Sequence, residues 1–469
     1  MEKKITDFTR GSIPRHLIMF SIPMFLGNLL QALYNTVDSI WVGRFLGPRA
    51  LAAVSVGFPV IFALVALIMG AAMAMTTLVS QYYGAKRQDM VVKTIGNSLI
   101  TLTVLGLIVS VIGVACREKL LLLINTPPDI LEQASGYLGV FLSGLIGMFW
   151  YNGISAILRG LGDSQTPLKF LAYATVLNIV LDPLLIFGLG PLPAMGVRGA
   201  ALATVIAQGL SSLLAIRYLF QSSGLVTLNK EFWNMDWSLI GLIFKIGLPA
   251  GIQHTLVSLS SLAIGAMVNR FGSTIVAGFG AAARIEQFAF MPAMSISLAV
   301  SALVGQNLGA QKEDRVKDSV KWSAILAIAI NFVVSLAILF IPTLLLLPFT
   351  KDAGVLEAGA LYLHYLGYAY IPFALMFTLG GVLRGAGDTV TAMLLTLISL
   401  WAIRVPLAAY LSANPYLGVK GIWLAIVISI YMGLIINYLY YRTGRWKKFA
   451  VVKGPAFKQE ISGEPAAEN

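Results

Sequence analysis

Charge is scarce in this sequence, and residues that ligate metals or form disulfides are scarcer. Only 12% of its 469 residues are Asp, Glu, Lys or Arg, against about 25% in a soluble domain. Hydrophobic residues make up 58% and mean hydropathy is +0.82, the composition of a polytopic membrane protein. The single cysteine, Cys116, excludes an intramolecular disulfide and a cysteine metal cluster; it reads as a packing residue. The three histidines have no metal-ligand spacing. No nucleophile–base pair or metal motif supports an enzyme. The net charge of +12 is no nucleic-acid signal, because Lys and Arg sit between apolar segments rather than on one soluble face. The basic start, MEKKITDFTRGSIPR, precedes an apolar run too long for a signal-peptide core and without a small-residue cleavage site. It is expected to stay uncleaved.

Twelve apolar segments are present, beginning near Leu17, Leu51, Val91, Ile130, Thr166, Val197, Leu239, Thr274, Val320, Leu356, Val390 and Gly418. Segments and loops on the side of the N-terminus hold 23 of the 33 Lys and Arg, the other side eight. By the positive-inside rule both termini are cytoplasmic. The chain also repeats itself. VSQYYGAKRQDMV from Val79 matches VGQNLGAQKEDRV from Val304, and LRGLGDSQT from Leu158 matches LRGAGDTVT from Leu383, both 225 residues apart. Pro23 and Arg44 recur as Pro249 and Arg270, and GVRG from Gly196 recurs as GVKG from Gly418. The predicted fold is therefore all-α: twelve transmembrane helices in two six-helix lobes, related by a pseudo-twofold axis along the membrane normal. Residues 1–220 form the N-terminal lobe, 221–237 a cytoplasmic linker, 238–445 the C-terminal lobe and 446–469 a cytoplasmic tail. Parallel repeats of this kind typify transporters that rock one half against the other.

The first segment breaks the apolar rule. Asn28, Gln31, Asn35 and Asp38 fall within an arc of about 80° on a helix, and Tyr34 adds a fifth polar group to the same stretch. A charge at bilayer depth costs about 3 kcal/mol or more, and it normally faces protein or a water-filled path. The fifth segment carries a second acid, Asp182, with Asn178 one turn before it and Pro183 after it, which leaves the Ile179 carbonyl short of its usual partner. Counted from the outer helix ends, Asp38, Asp182 and Thr204 all lie roughly 9–12 Å deep. Two carboxylates, two amides and a hydroxyl at one depth suit a small hard cation or a shared proton. The alternative is two unrelated buried acids, each satisfied by hydrogen bonds. The repeat places His254, Val257, Ser261 and Ile264 opposite the polar stripe, so the acid pair belongs to the N-terminal lobe alone.

The C-terminal half has Arg284 and Glu286 well inside its second segment. An i,i+2 pair does not meet on one helix face, so each needs a partner elsewhere or a hydrated cavity. Arg404 is a candidate partner for Glu286. Structural pairing and contact with a substrate both remain open for these three. The loops Arg159–Asp163 and Arg384–Asp388 occur in both halves at cytoplasmic helix ends, and read as gating or structural ties.

The stretch PMFLGNLLQALYNTVDSIWVGRFLG, the QYYGA and RGLGD loops and the helix LNIVLDP resemble the multidrug and toxic compound extrusion (MATE) family, over the chain up to about Arg445. They are most similar to the branch of the DNA-damage-inducible DinF proteins. By that resemblance Asp38, Asn178, Asp182 and Thr204 are cation-site residues, and metal ligands if the ion is Na⁺. The other bacterial branch has acids in helices 7 and 10; the neighbourhood of Val257 and the stretch Tyr370–Phe377 have none. The resemblance implies antiport of amphipathic, often cationic, drugs against Na⁺ or H⁺, with no cofactor. It further implies a monomer among lipids of the bacterial inner membrane, with no nucleic-acid partner. A flippase for lipid-linked precursors or polysaccharides is the alternative. Such a cavity is expected to cluster basic residues, and here only Arg284 and Arg404 lie inside segments.

Overall fold

The computed structural model describes residues 5–188, 193–221, 232 and 234–452. Gly190, most of the expected linker and the tail beyond Val452 lie outside the described residues. Among the described residues there are helices and short connections but no strand. In hydrocarbon each backbone N–H and C=O must be satisfied within its own segment, so long apolar runs become helices. Ten helices are long and apolar enough to cross a bilayer: Ile13–Leu46, Pro48–Gly84, Gln88–Leu123, Gln165–Phe187, Val197–Gln221, Trp237–Phe271, Ser273–Gly309, Glu313–Phe340, Thr389–Ser412 and Val419–Arg442. Two bent pairs, Pro128–Ser143 with Leu145–Gly160 and Ala353–Gly367 with Tyr370–Ala386, bring the count among the described residues to 12. Numbered in chain order, the bent pairs are the fourth and tenth spans. The chain is an all-α, multi-pass membrane protein.

The described residues gather into two compact units. One draws on Pro23–Val79 and Arg87–Gly251, the other on Asp7–Ile22, Ser80–Lys86 and the chain from Ile252 onward.

The bends, of 47° and 54°, were not expected from two continuous apolar runs. A bend breaks the helical ladder and orphans a carbonyl. In each unit a serine repairs it. Ser110 Oγ of the third span donates to the Leu142 carbonyl at 2.7 Å, and Ser335 Oγ of the ninth donates to the Gly367 carbonyl. Donor and acceptor are both related by the spacing of the repeat. At the first bend a Cβ on Gly144 would lie 2.3 Å from Val205 Cγ2. The sixth span reaches the bend only because glycine leaves that space.

The repeated loops also act as ties. Asp163 accepts from the backbone N–H of Gln165 and of Thr166 at 3.0 Å each, and from Tyr218 Oη at 3.1 Å. Asp388 accepts from Thr391 N at 3.3 Å and from Tyr440 Oη at 2.6 Å. In both units the loop carboxylate caps the helix that follows it and holds the end of the unit's last span. The repeated glutamines take chain termini. Gln306 Oε1 accepts from Phe8 N at 2.9 Å, and Gln81 Oε1 from Val451 N at 2.6 Å. The amino-terminal segment is further held by Lys312 Nζ on the Thr9 carbonyl (2.9 Å) and by Arg315, which donates to the carbonyls of Phe8 (2.8 Å), Arg10 (3.1 Å) and Gly11 (3.1 Å).

Two outcomes follow from these ties. Ser110→Ala and Ser335→Ala are expected to destabilise the protein by about 1 kcal/mol each, additively because they lie in separate units, as read by unfolding in detergent. Arg315→Ala is expected to speed hydrogen exchange at Phe8–Gly11 severalfold while leaving the first span from Pro23 onward unchanged.

Candidate functional site

The first, fourth, fifth and sixth spans bring the predicted N-terminal residues together within one unit. Asn178 and Asp182 are both 0% exposed. Asn178 Nδ2 donates to Asp182 Oδ1 at 3.3 Å along the fifth span. Asp38 and Asp182 act on each other through their carboxyl groups, and Tyr34 lies against Thr204. The polar stripe of the first span therefore divides. Asp38 and Tyr34 join the cluster, whereas Gln31 Nε2 donates to Asn35 Oδ1 at 3.3 Å along the helix, with Asn35 exposed. Asn28 is half-buried one turn further in.

Five oxygens of this cluster are buried yet have no hydrogen-bond partner among the described residues: Tyr34 Oη, Asp38 Oδ1, Asn178 Oδ1, Asp182 Oδ2 and Thr204 Oγ1. Buried polar atoms are ordinarily satisfied, and each orphan costs about 1–3 kcal/mol. Carboxylate, amide and hydroxyl oxygens are the ligand types that small hard cations take.

The ends of the two acid-bearing spans nearest Asp38 and Asp182 are joined by aromatic contact. Trp41 stacks on Phe45 with ring centroids 5.0 Å apart, and Phe187 meets their edges at 6.2 and 5.6 Å. Immediately after the α-helix carrying Asp38 the backbone is π-helical over Val42–Leu46, a rare conformation that concentrates at functional sites.

Tyr137, on the fourth span, was missed in the sequence. It is buried and within electrostatic reach of both Asp38 and Asp182. The available signal was its position: the spacing that pairs Leu158 with Leu383 also pairs Tyr137 with Tyr362.

The second group, Arg284, Glu286 and Arg404, is only partly assembled. Arg284 is exposed and takes no part. Glu286 Oε2 accepts from Tyr362 Oη at 2.7 Å, and Arg404 Nε donates to Ser429 Oγ at 2.9 Å. The partner expected for Glu286 was Arg404. The structure supplies Tyr362 instead, with Arg404 near enough to act on the carboxylate but outside contact distance.

Repeated helical halves spanning a membrane are the construction of a transporter rather than of an enzyme. The MatE family model matches the chain twice, over residues 23–184 and 249–410, and the chain belongs to that family. The two matches are displaced by the interval that separates Pro23 from Pro249. Among relatives, the probable multidrug resistance protein YpnP of Bacillus subtilis is 35% identical over 444 residues, covering 95% of this chain and 98% of that one. The probable multidrug resistance protein NorM of Thermotoga maritima is 28% identical, covering 95% and 96%. A solved MOP superfamily transporter from Pyrococcus furiosus superposes with TM-score 0.87 at 25% identity, covering 96% of this chain and 99% of its own.

The buried acid pair has a cost that can be measured. With both carboxyls charged, Asp38→Asn removes a like-charge neighbour of Asp182. It is expected to stabilise the protein by about 1–2 kcal/mol in Na⁺-free buffer at pH 8. The gain should shrink at pH 5. An equal effect at both pH values would mean that the two carboxylates do not repel.

Proposed function

We propose that this protein exports amphipathic, often cationic, small molecules across the bacterial inner membrane in exchange for Na⁺ or H⁺. The observation that carries the reading is the set of five buried, unpartnered oxygens around Asp38 and Asp182. In this reading the ion enters from outside and occupies Asp38 and Asp182, with Asn178 and Thr204 as neutral ligands. One bound cation offsets one of the two negative charges, eases the repulsion between the first and fifth spans and rearranges the N-terminal lobe. The substrate is then released outward, as the ion later is inward. The halves 1–220 and 238–445 are taken as the alternating bodies, both termini as cytoplasmic and the working unit as a monomer in lipid. The printed names of the relatives, multidrug resistance proteins, support the substrate class. The number of oxygens favours Na⁺, since a proton needs no coordination shell.

Drug efflux from proteoliposomes under separately imposed Na⁺ and H⁺ gradients tests this. Asp38→Asn should abolish gradient-driven efflux with the fold retained, and survival of efflux would remove Asp38 from the coupling site. For Na⁺, Asn178→Ala and Thr204→Ala should each raise the half-maximal Na⁺ concentration about tenfold, with the pH profile little altered. Efflux indifferent to Na⁺ and steeply dependent on a pH gradient would assign the same residues to H⁺.

A further inference from the structure

The C-terminal unit contains a second polar cluster that the export reading does not use, with Tyr362 and Tyr370 buried and Glu286 and Arg404 half-buried. Glu286, on the eighth span, accepts a hydrogen bond from Tyr362. Tyr370, 1% exposed, has a buried hydroxyl without a partner among the described residues and lies within reach of Glu286 and Tyr362. Arg404 acts on Glu286 from the eleventh span while donating to Ser429. Tyr362, Arg404 and Tyr370 are the ionisable groups that face the carboxylate. Arg404 closes a π-helical stretch, Ile398–Arg404, so both units place a π turn beside their buried acid.

The repeat tells what this cluster can hold. Tyr362 stands where Tyr137 stands beside the N-terminal acids. The interval that pairs Tyr137 with Tyr362 sets Asp182 against Leu407, and the interval from Pro23 to Pro249 sets Asp38 against Ile264, which is 3% exposed in an apolar core, so neither N-terminal acid recurs. Where the N-terminal cluster has two carboxylates and a neutral amide, the C-terminal one has a single carboxylate and its own guanidinium. A metal ion would there meet a fixed cation and only one anion. Space is also short. Tyr362 and Trp423 are each 2% exposed, their rings 4.5 Å apart, and Phe279 stacks on Trp423 at 5.4 Å. A drug-sized group does not fit between them.

We infer that Glu286 is a second ion site of this protein, specific for a single proton, held by Tyr362, with Tyr370 nearby, and charge-balanced by Arg404. A proton from water adds to one carboxylate oxygen and gives the neutral acid. No other bond changes, and Arg404 loses the charge that attracts it at the end of its π turn. The inference is independent of which ion the N-terminal cluster takes.

The test uses the full chain in lipid nanodiscs with Asp38→Asn and Asp182→Asn, which removes the N-terminal acids whatever their role. Infrared difference spectra between pH 9 and pH 5 should show a carboxylic C=O band that disappears on adding Glu286→Gln. Tyr362→Phe should keep the band but move its titration midpoint by about one pH unit. A spectrum unchanged by Glu286→Gln, or the lack of any titrating carboxyl band, would make Glu286 a permanently charged structural acceptor and overturn the inference. If Glu286→Gln does not fold, Tyr362→Phe decides alone: an unmoved midpoint overturns it.

Discussion

A carboxylate placed within an apolar span costs several kcal/mol unless something on the protein answers it, and each unit is arranged around its own answer. In the N-terminal unit Asp38 and Asp182 are set together with Tyr34, Asn178 and Thr204, so that their unsatisfied oxygens converge. The aromatic trio of Trp41, Phe45 and Phe187 joins the ends of the spans that carry them. In the C-terminal unit the single acid Glu286 is answered internally, by the Tyr362 hydroxyl and the charge of Arg404. One arrangement leaves oxygens without a hydrogen-bond partner among the described residues. The other sets its acid against a tyrosine and a guanidinium.

The repeated motifs perform the same mechanical work in both units. Ser110 and Ser335 satisfy the carbonyls released where the fourth and tenth spans bend. Asp163 and Asp388 cap the next helix while accepting from a tyrosine at the end of the last span. Gln81 and Gln306 bind backbone N–H groups of Val451 and Phe8. These side chains bond backbone groups at helix bends, helix starts and non-helical segments, where the helical ladder supplies no partner. Identical geometry therefore demands identical residue types, which is why the motifs survive in both halves while the acids do not.

The irregular backbone sits beside the chemistry. The π turns Val42–Leu46 and Ile398–Arg404 follow Asp38 and end in Arg404, and Pro183 lies inside the helix next to Asp182. Such interruptions weaken the local ladder of hydrogen bonds.

By itself the sequence determined the membrane class, the twelve spans and the two-lobed repeat, and it singled out Asp38, Asn178, Asp182 and Thr204 as candidates. All of these are periodic or local signals: apolar run length, a repeat interval, and helical spacing with a count of depth from the ends. Only the tertiary structure decided that Tyr137 belongs to that set, that Asn35 does not, and that Glu286 takes Tyr362 rather than Arg404 as its contact. The bends of the fourth and tenth spans and the capture of the Phe8–Gly11 segment by Arg315 were likewise illegible in one dimension. Each depends on which side chains of different helices meet. That is set by the rotation and tilt of packed helices, and neither is written in the periodicity of any one of them.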